Sequence, residues 1–330
     1  MSTRTLRWGL LGTSRINRVI IPHVRASARS RLAAVASRTI ERAEAYAREW
    51  NIPRAFGSYQ AMLADPDIDV IYNSLPNALH AAWTIAAAQA GKHILCEKPF
   101  AMTVEEVDAV IAAAGRAGVV VAEAFMYRHH PQTIKVQELV ASGAIGKLRL
   151  VHGSHTFNIV AREPDPRLDP ALGNGSIWDV GCYPINYARF VIGAEPAEAF
   201  GWQAPGSTGV NETFVGQLRF PGDIYAQFDC GFRAPFRAQF EVVGSEGTIG
   251  MTHPFKPGLD ERIVLARGSD TQTIAIPGQD PYVGEVEDMA DAILLGTAPR
   301  VGLADSRGNV AAIVALLRSA REGRPVPVYP

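Results

Sequence analysis

The feature that most constrains this chain is the alternation of short apolar segments with helix-forming segments over its first 125 residues. The apolar segments begin at Leu6, Ser30, Asp69, His93 and Val119, and stretches rich in good helix formers separate them. These segments are apolar throughout instead of alternating with polar residues, which is typical of strands buried on both faces. Strands and helices that alternate at this spacing predict an α/β Rossmann fold with a doubly wound parallel sheet.

The second half of the chain has a different pattern. Strand-like runs follow one another from Glu212 onward, and two helices close the chain. Short turns that begin at Pro221 and Gly244 separate these runs and indicate antiparallel hairpins. We therefore predict two domains, a Rossmann domain over residues 1–124 and an α+β domain with a large, mainly antiparallel open sheet over residues 125–330.

Composition and charge exclude several classes of protein. The hydrophobic fraction of 47% and the charged fraction of 20% are those of a globular protein, not of a disordered chain or a fibre. The 32 Lys and Arg residues nearly balance the 33 Asp and Glu residues, so no basic field exists to attract nucleic acid or an anionic membrane. No apolar run approaches the roughly 20 residues of a membrane span. We expect no nucleic-acid partner and no membrane partner.

The cysteines and histidines show no metal-binding or disulfide pattern. Cys96, Cys182 and Cys230 are far apart, which argues against a disulfide framework and against structural zinc. His129 and His130 are adjacent and no H-E-x-x-H motif is present, so we expect no metal site. The chain starts on a strand-like segment without an apolar leader, and with the unpaired cysteines this predicts a cytoplasmic protein.

The first strand leads into a turn of small residues and then into a helix. This turn and the start of the helix comprise Gly9, Gly12, Thr13, Ser14, Arg15 and Ile16. Small residues at this point let backbone amides at a helix N-terminus approach a pyrophosphate. The pattern G-x-G-x-x-G is not met, because Ser14 takes a place often held by glycine, and such a turn can also merely join a strand to a helix. Its position after the first strand favours a dinucleotide site.

The end of the second strand indicates which dinucleotide would bind. Folds that prefer NAD place an acidic residue about twenty residues past the turn, on the adenosine ribose. This chain has Ser37 and Arg38 there, with Arg42 one helical turn further. Guanidinium groups bind a 2′-phosphate by charge-assisted hydrogen bonds, whereas a carboxylate would repel it. We therefore predict NADP as the cofactor; the alternative is a solvated arginine at the start of a helix.

A lysine follows the fourth strand, in the sequence Glu97-Lys98-Pro99. Open α/β folds bind their ligands at the carboxyl ends of the strands, so Lys98 is a candidate site residue. Pro99 fixes the local backbone and disfavours helix at the preceding residue. Asn77 and His80 follow the third strand and are expected at the same edge of the sheet.

Several motifs resemble those of the glucose–fructose oxidoreductase/inositol dehydrogenase (Gfo/Idh/MocA) family of sugar oxidoreductases. They are the turn 9–16, Glu97-Lys98-Pro99, Ala122-Glu-Ala-Phe-Met-Tyr-Arg128-His129-His130-Pro131, Ser142-Gly-Ala-Ile-Gly146, Gly173-Asn-Gly-Ser-Ile-Trp-Asp179-Val-Gly-Cys-Tyr183-Pro, Gly244-Ser-Glu-Gly247-Thr and Tyr282. The combination of E-K-P with D-x-G-x-Y is highly specific, and the motifs span nearly the whole chain. Asn174 departs from the family pattern, which commonly has glycine there.

The resemblance implies which residues carry the chemistry. Lys98 and Tyr183 would flank the reacting carbon, with Asp179 nearby. Many family members have His in place of Tyr183. By having Tyr there, the chain resembles the branch that includes NADP-dependent xylose dehydrogenases and dimeric dihydrodiol dehydrogenases. A tyrosine acts as a general acid/base when an adjacent ammonium stabilises its phenolate, and Lys98 would supply that ammonium. The alternative is that Lys98 is itself the base, the two groups titrating as a coupled pair.

The resemblance also implies the surroundings of cofactor and substrate. The cofactor side would include Leu75, Pro76, Asn77 and His80 along the nicotinamide, together with Glu97, Arg167 and Tyr282. The substrate pocket would include Arg128, His130, Phe157 and Trp178. Aromatic faces stack on the C–H surfaces of sugars while polar groups bind hydroxyls, so such a pocket suits a carbohydrate.

These observations predict an NADP-dependent oxidoreductase. It would transfer a hydride between the nicotinamide and a hydroxyl or carbonyl carbon of a sugar, polyol or diol, as an aldose 1-dehydrogenase does. Residues 1–124 would bind NADP, and residues 125–330 would bind substrate and form a homo-oligomer, a dimer or a tetramer, because an open antiparallel sheet leaves an apolar face uncovered. The alternative is a non-catalytic NADP-binding regulator on the same fold. A related NAD-dependent glycosidase is disfavoured by Tyr183 and Arg38.

Overall fold

Two sheets of different kinds account for the strands of the protein. A computed structural model describes residues 4–159 and 165–329. The chain divides into two units, one formed by the chain up to Met126 with Tyr282–Ser306, the other by Tyr127–Pro281 with the chain from Arg307 onward. The domain boundary at residue 124 stays a prediction, and the first unit also takes in Tyr282–Ser306 from the predicted second domain.

The first unit contains a parallel sheet. Its strands are β1 (Leu6–Leu11), β2 (Ser30–Ala36), β3 (Arg54–Phe56), β4 (Val70–Asn73), β5 (His93–Glu97) and β6 (Val121–Ala124). Their order is β3-β2-β1-β4-β5-β6, and every neighbouring pair is parallel. The order reverses between β1 and β4, so the carboxyl ends of these two strands form the switch point at which such folds bind ligands. The doubly wound sheet is the predicted one, with β3 as an additional short strand.

Helices pack on this sheet and begin at recognisable caps. They are α1 (Asn17–Ala26), α2 (Ile40–Glu49), α3 (Tyr59–Leu63), α4 (His80–Gln89) and α5 (Val104–Ala117). At the start of α5, Thr103 accepts a hydrogen bond from the Glu106 amide at 3.2 Å, and the Glu106 carboxylate accepts one from the Met102 amide at 2.8 Å. Side chains of this kind satisfy the amides that a helix start leaves without intrahelical partners. Trp8 and Tyr72 are fully buried in the core of this unit.

The second unit contains a broad, mainly antiparallel sheet. Its strands are β7 (Leu148–Asn158), β8 (Glu198–Pro205), β9 (Asn211–Phe220), β10 (Ile224–Gly231), β11 (Arg233–Gly244), β12 (Gly247–Met251), β13 (Asp260–Arg267), β14 (Asp270–Pro277) and β15 (Val326–Pro327). Their order is β14-β13-β12-β11-β7-β10-β9-β8-β15. The hairpins predicted at Pro221 and Gly244 connect β9 to β10 and β11 to β12. Strands β7 and β10 form a parallel pair inside this otherwise antiparallel order.

One face of this second sheet is covered by helices. The remaining α-helices of the described chain are α6 (Pro131–Ala141), α7 (Cys182–Ile192) and α9 (Leu303–Glu322), which lie wholly or mostly in the second unit, and α8 (Pro281–Leu295), which lies almost wholly in the first. Helix α7 approaches β7 closely, because a Cβ on Gly153 would lie 2.7 Å from the Cβ of Pro184. On the opposite face, Trp202, Val215 and Tyr225 are 56%, 43% and 45% exposed. Across residues 4–159 and 165–329, each helix is too short or too polar to cross a lipid bilayer.

Candidate active site

The turn after β1 contains two glycines with different structural roles. Gly12 has a φ of 98°, which favours glycine, and its amide donates to the Ala36 carbonyl at 3.0 Å. Gly9 lies inside β1, where a Cβ would be 2.9 Å from the sulfur of Met62, so close packing explains the glycine there. No side chain in the described part of the chain caps the start of α1. Its first amides therefore remain suited to an anion such as a pyrophosphate.

The residues between Gly12 and α1 are accessible. Thr13, Ser14 and Ile16 are partly exposed and Arg15 is exposed. The Asn17 side chain donates to the Gly12 carbonyl at 2.9 Å and accepts from the Ser74 hydroxyl at 2.6 Å. This pair of bonds joins the turn after β1 to the turn after β4, at the switch point of the sheet.

The end of β2 carries two arginines on the surface. Ser37 is buried and its amide donates to the Phe56 carbonyl at 3.0 Å, while Arg38 and Arg42 are exposed. Burial raises the pKa of Tyr59, whereas the positive charges of Arg38 and Arg42 lower it. Both charges are therefore near this phenol. Neither guanidinium is in an ion pair with any other described residue. The predicted trio is thus at the strand end, with two cationic groups directed to solvent.

The turn after β4 is fixed from behind by a buried histidine. Leu75 is buried, whereas Pro76 is exposed and Asn77 is partly exposed. The His80 ring is within 2.7 Å of the Leu75 carbonyl through Nε2 and within 2.7 Å of the Pro99 carbonyl through Nδ1. Burial lowers the pKa of His80. His80 therefore joins the turn after β4 to the Lys98 segment through backbone contacts.

The segment after β5 places Lys98 at the carboxyl edge of the sheet. The Lys98 side chain is partly exposed, and the Lys98–Pro99 peptide bond is cis. Glu97 is buried and accepts a hydrogen bond from the Tyr72 hydroxyl. Burial, followed by the charge of Glu97, raises the pKa of Tyr72 well above its usual value, so this phenol is a neutral donor. No sequence motif indicates this bond between Tyr72 and Glu97, and the proposed place of Glu97 beside the cofactor stays a prediction.

Tyr282 belongs to the same unit as these residues. It lies in α8, is 7% exposed and stacks on the His23 ring of α1, with ring centroids 6.2 Å apart and planes at 11°. It also contributes to raising the pKa of Tyr72. The structure therefore groups Tyr282 with the residues of the first unit, as a cofactor role requires.

In the second unit, Tyr183 is held among aromatic rings. It lies in the first turn of α7 and is 7% exposed. Its ring centroid is 5.3 Å from that of His155, 5.9 Å from that of Tyr127 and 5.9 Å from that of Phe255. His155 also stacks on Phe255 at 4.9 Å. No motif in the sequence marks His155 or Phe255. His155 lies two residues from the predicted site residue Phe157, and because side chains alternate between the faces of a strand, both lie on the same face of β7.

Three residues predicted for different roles meet in this unit. Arg167 Nη1 lies 3.9 Å from Asp179 Oδ2, and its guanidinium carbon lies 5.1 Å from the Phe157 ring centroid. Asp179 sits in a π-helical turn, Ile177–Gly181, that runs directly into α7 and Tyr183. The loop before this turn is held by Asn211, whose side-chain oxygen accepts from the Ile177 amide at 3.0 Å. Asp179, Arg167 and Phe157 therefore form one cluster.

Two predicted substrate residues, Arg128 and Trp178, are buried. The Arg128 guanidinium is buried 3.9 Å from the Phe190 ring centroid, and its Nη1 donates to Asn186 Oδ1 at 3.0 Å. The Tyr127 hydroxyl donates to the same oxygen at 2.6 Å. Trp178 is 5% exposed. Packing accounts for the position of Arg128 without a ligand.

His130 caps a helix. Its Nδ1 accepts from the Gln132 amide at 3.1 Å at the start of α6, which leaves Nε2 as the donor to the Gly258 carbonyl at 3.0 Å. Burial lowers the pKa of His130, in keeping with a neutral ring. Nδ1 thus caps α6 and Nε2 holds the loop that carries Phe255, and the structure shows no nitrogen of His130 left for a substrate hydroxyl. Among the described residues, no cluster of His, Cys, Asp and Glu could hold a metal ion.

Comparison with known proteins finds two family models that match successive parts of the chain. Residues 6–125 match the model of an oxidoreductase family with an NAD-binding Rossmann fold, and residues 133–250 match the GFO/IDH/MocA C-terminal domain. The chain is 36% identical over 324 residues to D-xylose 1-dehydrogenase (NADP(+)) 2 of Haloferax volcanii, covering 97% of this chain and 99% of that protein. It is 32% identical over 284 residues to trans-1,2-dihydrobenzene-1,2-diol dehydrogenase of Danio rerio, covering 84% and 82%.

A solved structure extends the likeness to the whole fold. The aldose-aldose oxidoreductase of Caulobacter crescentus, crystallised with glycerol, has a TM-score of 0.91 and 30% identity, covering 98% of this chain and 100% of that one. The predicted family and fold class are confirmed. The chain belongs to the glucose–fructose oxidoreductase/inositol dehydrogenase (GFO/IDH/MocA) family of oxidoreductases.

Proposed function

We propose that the protein is an NADP-dependent oxidoreductase of sugars or related polyols and diols, with oxidation of an aldose at C1 as the leading reaction. The observation that carries the proposal is that Lys98, Asp179 and Tyr183 are all present, with Asp179 beside Arg167, Tyr183 among aromatic rings and the backbone next to Lys98 bound by buried side chains. The relatives named above act, by their names, on an aldose and on a diol. A hydroxyl-bearing carbon is the chemistry that these substrates share.

NADP is the cofactor that the first unit fits best. Arg38 and Arg42 are exposed and lack an ion-pair partner among the residues described, and Ser37 adds no carboxylate. An uncapped α1 start fits a pyrophosphate, and two guanidinium groups fit a 2′-phosphate. When bound, the nicotinamide would accept or supply the hydride. Leu75, Pro76 and Asn77 would line the nicotinamide, and the buried His80 ring would hold this turn in place through the Leu75 carbonyl.

Proton transfer is assigned to residues of the chain. Tyr183 would take the proton of the substrate hydroxyl, which requires that its phenolate be stabilised, and Lys98 would supply the stabilising ammonium. Asp179, held beside Arg167, would orient this pair of groups. Lys98 as the base remains the alternative, and the two groups would then titrate together.

Absorbance at 340 nm tests the proposal directly. Purified protein mixed with NADP⁺ should reduce it with at least one compound in a panel of aldoses, polyols and vicinal diols. Tyr183→Phe should lower turnover by roughly 10²–10⁴-fold, the usual size of a general acid/base contribution. Tyr187→Phe is the matched control, because Tyr187 lies one turn further along α7 and stacks on Phe240 at 4.2 Å.

Three outcomes distinguish an enzyme from a regulator, Lys98 from Tyr183 as the base, and a catalytic effect from a packing effect. No reduction of NADP⁺ by any compound would contradict an enzyme and favour a non-catalytic NADP-binding regulator. Full turnover in Tyr183→Phe together with loss in Lys98→Met would make Lys98 the base. Equal losses in Tyr183→Phe and Tyr187→Phe would show that the first variant acts through packing alone.

We also propose a homo-oligomer, most simply a dimer, in the cytoplasm. Trp202 and Val215 are paired neighbours on β8 and β9, and both are exposed on the face of the sheet that faces away from α7. Exposed apolar patches of this kind usually mark interfaces. Sedimentation at micromolar concentration should give a mass of at least twice the 35.6 kDa of one chain. A species of one chain alone would contradict the dimer. The cytoplasm is proposed because Cys96, Cys182 and Cys230 are free thiols.

A further inference from the structure

Three buried side chains hold consecutive backbone groups around Lys98. The Lys98 amide donates to Glu97 Oε2 at 3.3 Å, the Pro99 carbonyl is 2.7 Å from His80 Nδ1, and the Phe100 amide donates to Glu123 Oε1 at 2.9 Å. Glu97 ends β5, His80 begins α4 and Glu123 lies on β6. The backbone on either side of Lys98 is thus fixed from three separate elements.

Glu123 is the member of this set that the proposed chemistry does not use. It is 1% exposed, and Phe100, whose amide it accepts, is fully buried. Burying a carboxyl group costs free energy unless its oxygens gain hydrogen bonds, so an apolar residue would serve mere packing better. The hydrogen bond from the Phe100 amide therefore explains why β6 has a carboxylate at this position.

We infer that Glu123 is a positioning residue for Lys98, acting with His80 through the backbone from Pro99 to Phe100. The inference rests on the proposed role of Lys98 in proton transfer. A catalytic group displaced by about 1 Å can lose about 10²-fold in rate, so fixing the backbone beside Lys98 has a direct chemical consequence. His80 shares this role, because its ring contacts the Leu75 and Pro99 carbonyls and is itself buried.

Two substitutions at Glu123 separate position from charge. Glu123→Ala removes the acceptor for the Phe100 amide and should lower kcat by roughly 10–100-fold, with the KM for NADP changed by less than about threefold. Glu123→Gln keeps an oxygen acceptor without the charge and should restore most of kcat. The pH profile of kcat should keep its inflection in Glu123→Gln, since the bond matters and not the charge.

Glu106 provides a matched control on the following segment. Its carboxylate also accepts a backbone amide, that of Met102 at 2.8 Å, but at the partly exposed start of α5. Glu106→Ala should leave kcat and its pH profile unchanged. If Glu106→Ala lowered kcat as much as Glu123→Ala, the effect would belong to general loosening of the loop, and the inference would fail.

A readout that needs no turnover keeps this inference apart from the proposed function. The chain has five lysines, so reductive ¹³C-methylation, which keeps the charge, gives few NMR signals, and Lys98→Met identifies that of Lys98. In Glu123→Ala this signal should broaden or move toward that of the exposed Lys147, and in Glu123→Gln it should stay in place. An unchanged Lys98 signal in a folded Glu123→Ala protein would overturn the inference, even if no sugar were ever oxidised.

Two further outcomes decide whether Glu123 acts by positioning Lys98 or through its charge. Equal damage to kcat from Glu123→Gln and Glu123→Ala, with a shifted pH profile in both, would show an effect of charge and would also overturn positioning. If Glu123→Ala does not fold, the comparison passes to Glu123→Gln and His80→Gln. His80→Gln should then disturb the Lys98 signal while Glu123→Gln leaves it unchanged, and a Lys98 signal that is undisturbed in both would contradict the inference.

Discussion

At the amino edge of the parallel sheet the charged side chains pair with one another, whereas at its carboxyl edge two guanidinium groups lack an ion-pair partner among the described residues. Asp69 accepts from Arg4 at 2.8 Å and from Arg7 at 2.7 Å. Close by, the Lys92 ammonium donates to the Asp65 carbonyl at 2.6 Å. These contacts pair the charged groups with partners within the protein.

The carboxyl edge is arranged in the opposite way. Arg38 and Arg42 point to solvent around Tyr59, and the start of α1 has no side-chain cap in the described chain. Lys98 is partly exposed although the backbone beside it is fixed by buried residues. Charge that is paired contributes to stability, and charge that is exposed without a partner is suited to an anionic ligand. The difference supports the proposal that the carboxyl edge binds the cofactor.

The largest expected effect contrasts the lysines of the two edges. Lys98→Met should lower kcat by at least roughly 10²–10⁴-fold with little change in melting temperature, because Lys98 is proposed to act in the proton transfer. Lys92→Met should leave kcat nearly unchanged and lower the stability of the fold by about 1–3 kcal/mol, because two buried carbonyls lose their donor. Steady-state kinetics and thermal melts of both variants check this. If both variants lost turnover while their melting temperatures were unchanged, the proposed difference between the two edges would be contradicted.

The next effect concerns the arginines of the carboxyl edge. Arg38→Ala should weaken NADP binding by about 10–150-fold, since a charge-assisted pair with a phosphate contributes about 1.5–3 kcal/mol. NAD binding should barely change. Fluorescence titration with NADPH and NADH measures both affinities, and an equal loss for the two cofactors would contradict a contact with the 2′-phosphate.

A substitution at the amino edge should give the complementary result. Asp69→Asn should lower the free energy of unfolding by about 1–3 kcal/mol, because Arg4 and Arg7 lose their charged acceptor. These arginine contacts hold the pKa of Asp69 well below its usual value, so the stability they provide is present above about pH 4 and is lost as the pH falls further. Denaturant unfolding at pH 7 and pH 3 should show a difference between wild type and Asp69→Asn that shrinks at pH 3. The KM for NADP should be unchanged at pH 7.

The smallest effect is one that the two edges share. Burial lowers the pKa of His93 at the amino edge and of His80 at the carboxyl edge, so both bind protons less readily in the folded than in the unfolded protein. The unfolded chain binds protons at these residues as the pH falls below about 6.5, so stability should decrease between pH 7 and pH 5. Each 1 kcal/mol lost should lower the melting temperature by about 2–4 °C. A melting temperature that rises over this interval would show that other groups dominate.

The parallel sheet could be predicted because its strands are short apolar runs that only a sheet buried on both faces accommodates. Strand β3 escaped prediction because Arg54–Phe56 is three residues long and only half-buried. Strand β14 is hard to predict for a related reason: it lies at the edge of the second sheet, and Asp270–Pro277 is largely exposed, so burial leaves little pattern in it.

Local motifs point to the candidate site, and the roles they indicate stay predictions. Lys98, Asp179 and Tyr183 stand in such motifs, and the cluster of Asp179 with Arg167 and Phe157 is present as an arrangement within one unit. Roles set by distant contacts were not predictable. His130 was expected in the substrate pocket, but its ring contacts Gly258, which is 128 positions away, and caps α6. Phe255 reaches Tyr183 from a loop that no motif marks.

The most direct test of the central claim measures the 2′-phosphate alone. Calorimetric titration with adenosine 2′,5′-bisphosphate and with adenosine 5′-monophosphate compares two ligands that differ by that group and require no hydride transfer. The bisphosphate should bind at least about tenfold more tightly to the wild type, equivalent to about 1.4 kcal/mol, and this advantage should disappear in Arg38→Ala/Arg42→Ala while the double variant keeps its melting temperature. Equal binding of the two ligands by the wild type would contradict the assignment of the exposed arginines to NADP.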